Sequence, residues 1–415
     1  MADSIRLLHF ADVHIGMENY GTVDPATGIS SRVMDFLRRM NELIEYAEQN
    51  DADLAIFAGD AFKSSTPNPT YQREFARRIK RLAKQCPVVL LVGNHDIPAM
   101  SQKASSIEIF HTLSVDNVVV GRTDEIHRIE TKRGPVQIAT IPYPVRQRLL
   151  AEVNSRGLNL GELDNLLREQ LDVVIRDLTS QIDPSLPAVL TGHFTVQGAQ
   201  FGAERGIMLG RDVAVLRSTL ADPAWDYVAL GHIHFHQDVN IGAYPPVVYS
   251  GSIERIDFGE EGQPKGFCWV HLVRGETTYE FVELGARPFV TIRVDARTQR
   301  DPTQAVLKAI KKEELADSVV RVVIHTSPET DSLINQRDID HALADSGAAF
   351  VAAVNREVEY PIRARLGVQR PEGLAPIELL ERYLTSKETS PERIALLKDY
   401  AEQIFGEGEQ YFTSP

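Results

Sequence analysis

Apolar residues recur in short unbroken runs along the first part of the chain. The clearest, V-V-L-L-V at 88–92, predicts a strand buried on both faces. Gly93 follows, where a side chain would obstruct a sharp turn, and then Asn94, His95 and Asp96. Four further runs end alike. Residues 7–11 lead into Asp12 and His14, 54–58 into Asp60, 188–190 through Thr191 into His193, and 227–230 into His232 and His234. In four of the five, glycine comes just before the polar residue. Positions i and i+2 of an extended chain share a face, so Asp12 with His14, and His232 with His234, are each expected to point one way.

Helical periods alternate with these strands. Val33, Phe36, Leu37, Met40, Leu43 and Ile44 form one stripe over 31–49. Further helices are expected over 70–84, behind Pro67 and Pro69, and over 103–113 and 163–178. After Asp226 the pattern becomes strand-rich, at 247–249, 267–273 and 278–284. Residues 285–288 read as a linker. A second α/β alternation follows, with strands at 289–294, 319–325 and 350–354 and helices at 304–313 and 334–345. A further Pro/Gly linker, 370–373, precedes two amphipathic helices, 376–384 and 391–405, carrying Ile377, Leu380 and Leu384, then Ile394, Leu397 and Ile404. A pair that short is not stable in isolation.

At 415 residues the chain exceeds one typical core, so several domains are expected. The two cysteines, Cys86 and Cys268, lack metal-binding spacing and suit a reducing cytoplasm. No apolar run reaches the ~20 residues that span a bilayer, and the N-terminus has no signal-peptide pattern. The net charge of −14 argues against a free-standing nucleic-acid binder. The basic run of Arg73, Arg77, Arg78, Lys80, Arg81 and Lys84 reads as a solvated helix face.

The strand tips carry the chemistry. Asp12, His14, Asp60, Asn94, His193, His232 and His234 are too many ligands for one tetrahedral zinc. They suit two cations sharing a carboxylate ~3.5–4 Å apart. Such cations also outweigh the charge of Asp12 and Asp60, leaving the cleft electropositive. His9 reads as a core or second-layer residue, and His236 either continues the parity of His232 and His234 or is a solvated loop histidine. Tyr143, between two prolines, reads as a rigid packed turn.

In this order, D-x-H, G-D, G-N-H-D, G-H and G-H-x-H resemble the calcineurin-like metallophosphoesterases. The stretches H-F-A-D-V-H-I-G at 9–16, G-D-A-F-K-S-S-T-P at 59–67 and G-S-I-E-R-I-D-F-G at 251–259 narrow the resemblance to the SbcD family of bacterial double-strand-break repair nucleases. It is dense over 1–285 and rests on general layout beyond. It implies an α/β fold, a four-layer αββα sandwich over 1–285, then a small α+β capping domain over 286–370. A helical pair over 371–415 would bind an SbcC-type SMC-like ATPase.

The implied activity is a Mn²⁺-dependent 3′–5′ exonuclease and endonuclease on DNA. The resemblance assigns one Mn²⁺ to Asp12, His14 and His234, the other to Asn94, His193 and His232, and the bridge to Asp60. His95 would act on the leaving oxygen, and Asp96 would either hold its second ring nitrogen or cap the turn with its carboxylate. It further implies a homodimer through the helices after the second and third motifs. Lys63 stands where some relatives have a histidine that handles DNA ends; a lysine offers phosphate a point charge instead. Two competing readings are a small-molecule or cyclic-nucleotide phosphodiesterase of the same superfamily and a non-catalytic scaffold. The cap and helix pair weigh against the first, and the full ligand set against the second.

Overall fold

The structure, a computed structural model, describes residues 4–98, 103–150, 158–202, 213–360, 376–387 and 389–411. The chain divides into two compact units. One comprises 1–290 with 317–320, the other 291–316 with 321–415.

The first unit is built on two six-stranded sheets. One has the order β14-β13-β1-β2-β3-β4, where β1 is Ile5–Phe10, β2 Leu54–Phe57, β3 Val88–Leu91, β4 Val118–Gly121, β13 Gly266–Leu272 and β14 Thr278–Glu283. The other has the order β11-β12-β10-β7-β6-β5, with β5 Glu125–Thr131, β6 Gly134–Ile141, β7 Ala188–His193, β10 Tyr227–Gly231, β11 Gln237–Asp238 and β12 Val247–Tyr249. Two short strands, β8 (Thr195–Val196) and β9 (Ala214–Val215), pair with each other. The central strands of each large sheet, β1 to β4 and β6, β7, β10 and β12, pair in parallel. Parallel central strands are covered on both faces, which is why they read as unbroken apolar runs.

The four expected layers follow from which side chains meet. Leu7, Ile56 and Val89 of the first sheet pack against Val189, Ala229 and Val248 of the second, forming the inter-sheet core. On the first sheet's other face, Phe10, Phe57 and Leu90 meet Leu37 and Met40 of α1 (Ser31–Gln49) and Phe75 of α2 (Pro69–Ala83). On the far side, Leu190 and Val228 meet Leu167, Leu171 and Ile175. These three belong to α5 (Leu160–Ser180), after the short α3 (Ile109–Thr112) and α4 (Arg146–Leu149). Each buried large apolar side chain contributes ~1.5–3 kcal/mol relative to exposure. α1 is capped by Ser30 and α5 by a reciprocal Asn159–Glu162 capping box, both stabilising backbone donors the helix leaves unpaired.

Two expectations change. The helix expected over 103–113 shrinks to Ile109–Thr112, because Ser106 is pinned to Asp96 through its backbone N–H (2.9 Å) and its hydroxyl (2.9 Å). The 285–288 segment is no loose linker: Arg287 is 9% exposed and lies in a buried ion network with Asp35 of α1. Strands β4, β5 and β6 were not expected. In β5 only Ile129 is buried, while Glu125, Arg128 and Glu130 face solvent, so its run E-I-H-R-I-E-T is not an apolar one.

The second unit contains the strands β15 (Phe289–Asp295), β16 (Val319–Thr326) and β17 (Phe350–Val358), in that order, which begin in part within the first. Its helices include Pro302–Lys312, Gln336–Ala344, Pro376–Ser386 and Pro391–Tyr411. The 370–373 linker lies outside the described residues. Lys398 and Glu381 join the last two helices at 2.6 Å. Their apolar stripes stay partly open, with Tyr383 and Tyr400 exposed and Leu380 and Leu397 only half-buried. Ile404, also on the predicted stripe, has no described side-chain environment. No helix among the described residues is long and apolar enough to cross a membrane.

Candidate metal centre

All five strand tips converge where the parallel strands of both sheets end. β1 delivers Asp12 and His14, β2 Asp60, and β3 Asn94 and His95. β7 ends on His193 itself, and His232 and His234 follow β10. Adjacent tips of the open sheets supply the crevice, as in α/β folds generally.

The local backbone differs from the extended one expected. Asp12 (φ 52°), His14 (φ 45°), Asp60 (φ 62°) and His232 (φ 92°) all lie in the left-handed region. The paired histidine and aspartate therefore share a target through tight turns beyond the strand, not through strand alternation. Side chains rarely adopt this backbone, and such strain persists only where the surroundings over-determine it. Here the turns are tied across strands: Asp12, Val13 and His14 donate backbone N–H groups to Gly59 O and Asp60 O at 3.0–3.1 Å.

The preceding glycines serve close approach. A Cβ on Gly93 would stand 2.2 Å from Asp60 Oδ1, although its own φ is ordinary. One on Gly59 (φ 101°) would stand 2.3 Å from His193 Nδ1.

Asp60 sits at the middle. Its Oδ2 is 3.6 Å from His14 Nε2 and 3.4 Å from His193 Nε2. Its Oδ1 accepts the His95 backbone N–H at 2.8 Å. On one side, His14 Nε2 and His234 Nε2 approach to 3.0 Å, and both group with Asp12. On the other, Asn94 Oδ1 lies 3.0 Å from both His193 Nε2 and His232 Nδ1. Asp12, Asp60 and His193 form a further potential cation-holding group, as do His14, Asp60 and His95. Asp12, Asp60 and His193 are buried.

The donor and acceptor balance tests whether cations fit. His193 Nδ1 is 2.6 Å from Ala58 O, a carbonyl, so it carries the proton and Nε2 offers a lone pair. That lone pair faces Asn94 Oδ1 and Asp60 Oδ2, two more acceptors. His234 is alike: its Nδ1 meets the Glu260 carboxylate at 2.9 Å, so Nε2 offers a lone pair toward His14. Converging acceptors need a positive charge between them, and this mixed N/O set suits divalent transition metals. When no cation is held there, a proton on Nε2 takes its place: burial works to lower the His193 pKa, but the Asp60 carboxylate overrides this and raises it to about 9.

Of its two expected roles, Asp96 takes the turn-capping one rather than the one on His95. Its carboxylate accepts the backbone N–H of Gly93 (3.1 Å), Asp60 (3.0 Å) and Ala61 (3.2 Å) and the Ser106 hydroxyl (2.9 Å). The second nitrogen of His95 instead donates to Lys63 O at 2.9 Å. Asp96 thus clamps two ligand loops together, and a carbonyl orients His95. Burial and the nearby Asp60 raise the Asp96 pKa to about 7. The His95 ring is exposed and stands edge-on to His14 at 4.8 Å.

Other expectations resolve in the same way. His9 is a core residue, fully buried between the sheets, with Nδ1 3.1 Å from the Tyr227 hydroxyl. His236 is half-buried rather than a free loop histidine: it stacks on Phe281 at 4.1 Å and donates to Tyr249 O. Tyr143 is a packed turn, its N–H on Val92 O, and its ring also flanks His232 at 5.8 Å. Within the basic run, Glu74 pairs with Arg73, Arg77 and Arg78, and Glu48 with Arg81, as a solvated helix face requires. Sequence reasoning missed Glu260 and Lys265 beside His234, of which Glu260 follows directly on the 251–259 stretch.

Residues 5–236, more than half of the chain, match the model of the calcineurin-like phosphoesterase family. The chain is 31% identical over 297 residues to the SbcD component of the SbcCD nuclease of Bacillus subtilis (strain 168), covering 69% of this chain and 71% of that protein. It is 29% identical to the corresponding SbcCD nuclease component of Rhodobacter capsulatus over 94% of this chain and 93% of that protein. With the Escherichia coli (strain K12) counterpart it shares 31% identity over 65% of this chain, and the match spans 64% of that relative's length. The chain belongs to the calcineurin-like phosphoesterases, and within them to the SbcD family. The family implies a site for two divalent cations, and the converging acceptors above provide candidate ligands for it.

Proposed function

We propose that this chain is a Mn²⁺-dependent DNA nuclease, with 3′–5′ exonuclease and endonuclease activity, that processes DNA ends together with an SbcC-type SMC-like ATPase. The observation that carries the reading is Asp60, whose one carboxylate oxygen lies between two groups of inward-facing acceptors. Asp12, His14 and His234 would hold one cation, Asn94, His193 and His232 the other, and Asp60 would bridge. A cation pair there supplies charge neutralisation for a phosphodiester and an activated water. The protein's own part is orientation. Asp96 holds the Asp60 and Asn94 loops in one geometry. Lys63 O fixes the His95 ring with Nδ1 as donor, so that the doubly protonated ring would give its Nε2 proton to the departing 3′-oxygen. The exposed Lys63 ammonium is suited to a substrate phosphate.

Residues 1–285 would then carry the nuclease, 286–370 the family's capping domain and 371–415 the ATPase-binding helices. The half-open stripes of the helix pair favour a partner over packing on their own chain. A homodimer through α2 and α3 is supported by an apolar cavity of about 320 Å³ between them, and by Ile109 (52% exposed) and Leu113 (68%) at its edge.

The deciding experiment assays linear duplex and hairpin DNA beside bis-p-nitrophenyl phosphate with Mn²⁺, with and without the ATPase. Cleavage of DNA, stimulated by the ATPase, is expected. Cleavage of the small ester alone would favour a small-molecule phosphodiesterase. His95→Ala is expected to lower cleavage by about 10²–10⁴-fold, the usual contribution of a general acid, with both cations still bound. Metal analysis of the purified variant checks this, and a metal-depleted protein would make His95 a ligand.

A further inference from the structure

His234 differs from the other candidate ligands in where it stands. It lies beyond the end of β10, in a segment with no regular strand pairing, and its side chain is 12% exposed. The stretch 251–265 supplies what the sheet does not. Ser252 N–H donates to His234 O at 3.1 Å. Gly251 packs so closely that a Cβ would stand 2.8 Å from that same oxygen. Lys265 Nζ donates to it as well, at 3.0 Å.

The ring is held by Glu260. Glu260 Oε1 accepts from His234 Nδ1 at 2.9 Å, while Oε2 accepts from the Ile256 N–H (2.9 Å) and pairs with Lys265 Nζ (3.0 Å). Glu260 and Lys265 are each 1% exposed, so this is a buried ion pair whose two members both bond His234, Glu260 its ring and Lys265 its carbonyl. A buried carboxylate and ammonium are kept only where each is paired. His193, by contrast, is oriented by a neutral carbonyl. A carboxylate behind an imidazole fixes its tautomer and makes its far nitrogen a stronger donor to a cation.

We infer that Glu260, neutralised by Lys265, is a positioning residue that sets the affinity of the cation position formed by Asp12, His14 and His234, and leaves the Asn94 side nearly untouched. This rests on the two-cation reading above. The test uses the full-length chain stripped of metal and titrated with Mn²⁺ alone, by calorimetry and by counting bound metal after dialysis. Wild type is expected to bind two. Glu260→Ala should weaken one of the two by roughly 10–100-fold. Because that variant strands a buried ammonium, the double change Glu260→Ala/Lys265→Met is measured beside it, its fold checked by circular dichroism. It should show the same selective loss. Glu260→Gln, which keeps an acceptor but not the charge, should fall in between. Wild-type affinity at both positions in the folded double variant overturns the inference, as does equal weakening of both, which marks a merely structural role. Fewer than two Mn²⁺ on wild type would overturn the two-cation reading, and this inference with it.

Discussion

Asp60→Ala is expected to abolish cleavage and to leave neither cation bound. The residue is buried at the centre of the candidate ligands, with Oδ2 3.6 Å from His14 Nε2 and 3.4 Å from His193 Nε2. Its removal takes away the negative charge that both halves of the proposed site would share. It also frees the His95 backbone N–H, which Asp60 Oδ1 accepts at 2.8 Å, and so loosens the loop carrying Asn94. Losing the cations removes charge neutralisation and water activation together. Each is worth several kcal/mol of barrier, so the rate should fall on the order of 10⁴-fold or more. Metal content and cleavage are measured on the same preparation. A variant that keeps two Mn²⁺ would show that Asp60 bridges nothing. Asp60→Asn separates charge from loop support, since the amide oxygen can still accept the His95 N–H.

The second large effect is on stability. Asp35→Ala should destabilise the fold by roughly 3–5 kcal/mol, the usual result of removing one partner from a buried charge network. Asp35 is 3% exposed on α1. Its Oδ2 accepts from Arg32 Nη1 and Arg287 Nε at 2.7 Å each, and its Oδ1 from Arg287 Nη2 at 2.7 Å. Arg32 is 2% exposed, and without Asp35 its nearest carboxylate is Glu254, 3.9 Å away. For a unit of this size the melting midpoint should fall by roughly 5–15 °C.

Burial works to raise the Asp35 pKa, but Arg287 and Arg32 override it and hold it below the ordinary carboxylate range. A depressed native pKa gives stability that is present above the unfolded-state value, ~3.9, and lost as pH falls through the native one. The gap between wild type and Asp35→Ala should therefore be widest near neutrality and narrow below about pH 4. Thermal melts at several pH values measure it, and a gap that widens in acid would exclude this account.

Local sequence was enough to determine much of this protein. Apolar runs of three to five residues leading into Asp, Asn or His marked β1, β2, β3, β7 and β10 and the residues at their tips. The stripe on α1 gave its limits, Ser31–Gln49, to the residue. These features depend on period and turn chemistry within a few positions of each other. Tertiary structure decided the rest. Asp12, His14, Asp60 and His232 point inward through left-handed turns held by bonds between strands, which no local period encodes. Asp96 clamps two loops rather than orienting His95, because Asp60 N–H comes within 3.0 Å of it from 36 residues away. Glu260 faces His234 from 26 residues away and Arg287 faces Asp35 from 252. Arg287, in the linker-like 285–288 segment, becomes buried for the same reason. A side chain's partner across that distance is set by how the sheets and loops pack, and packing is a property of the whole chain.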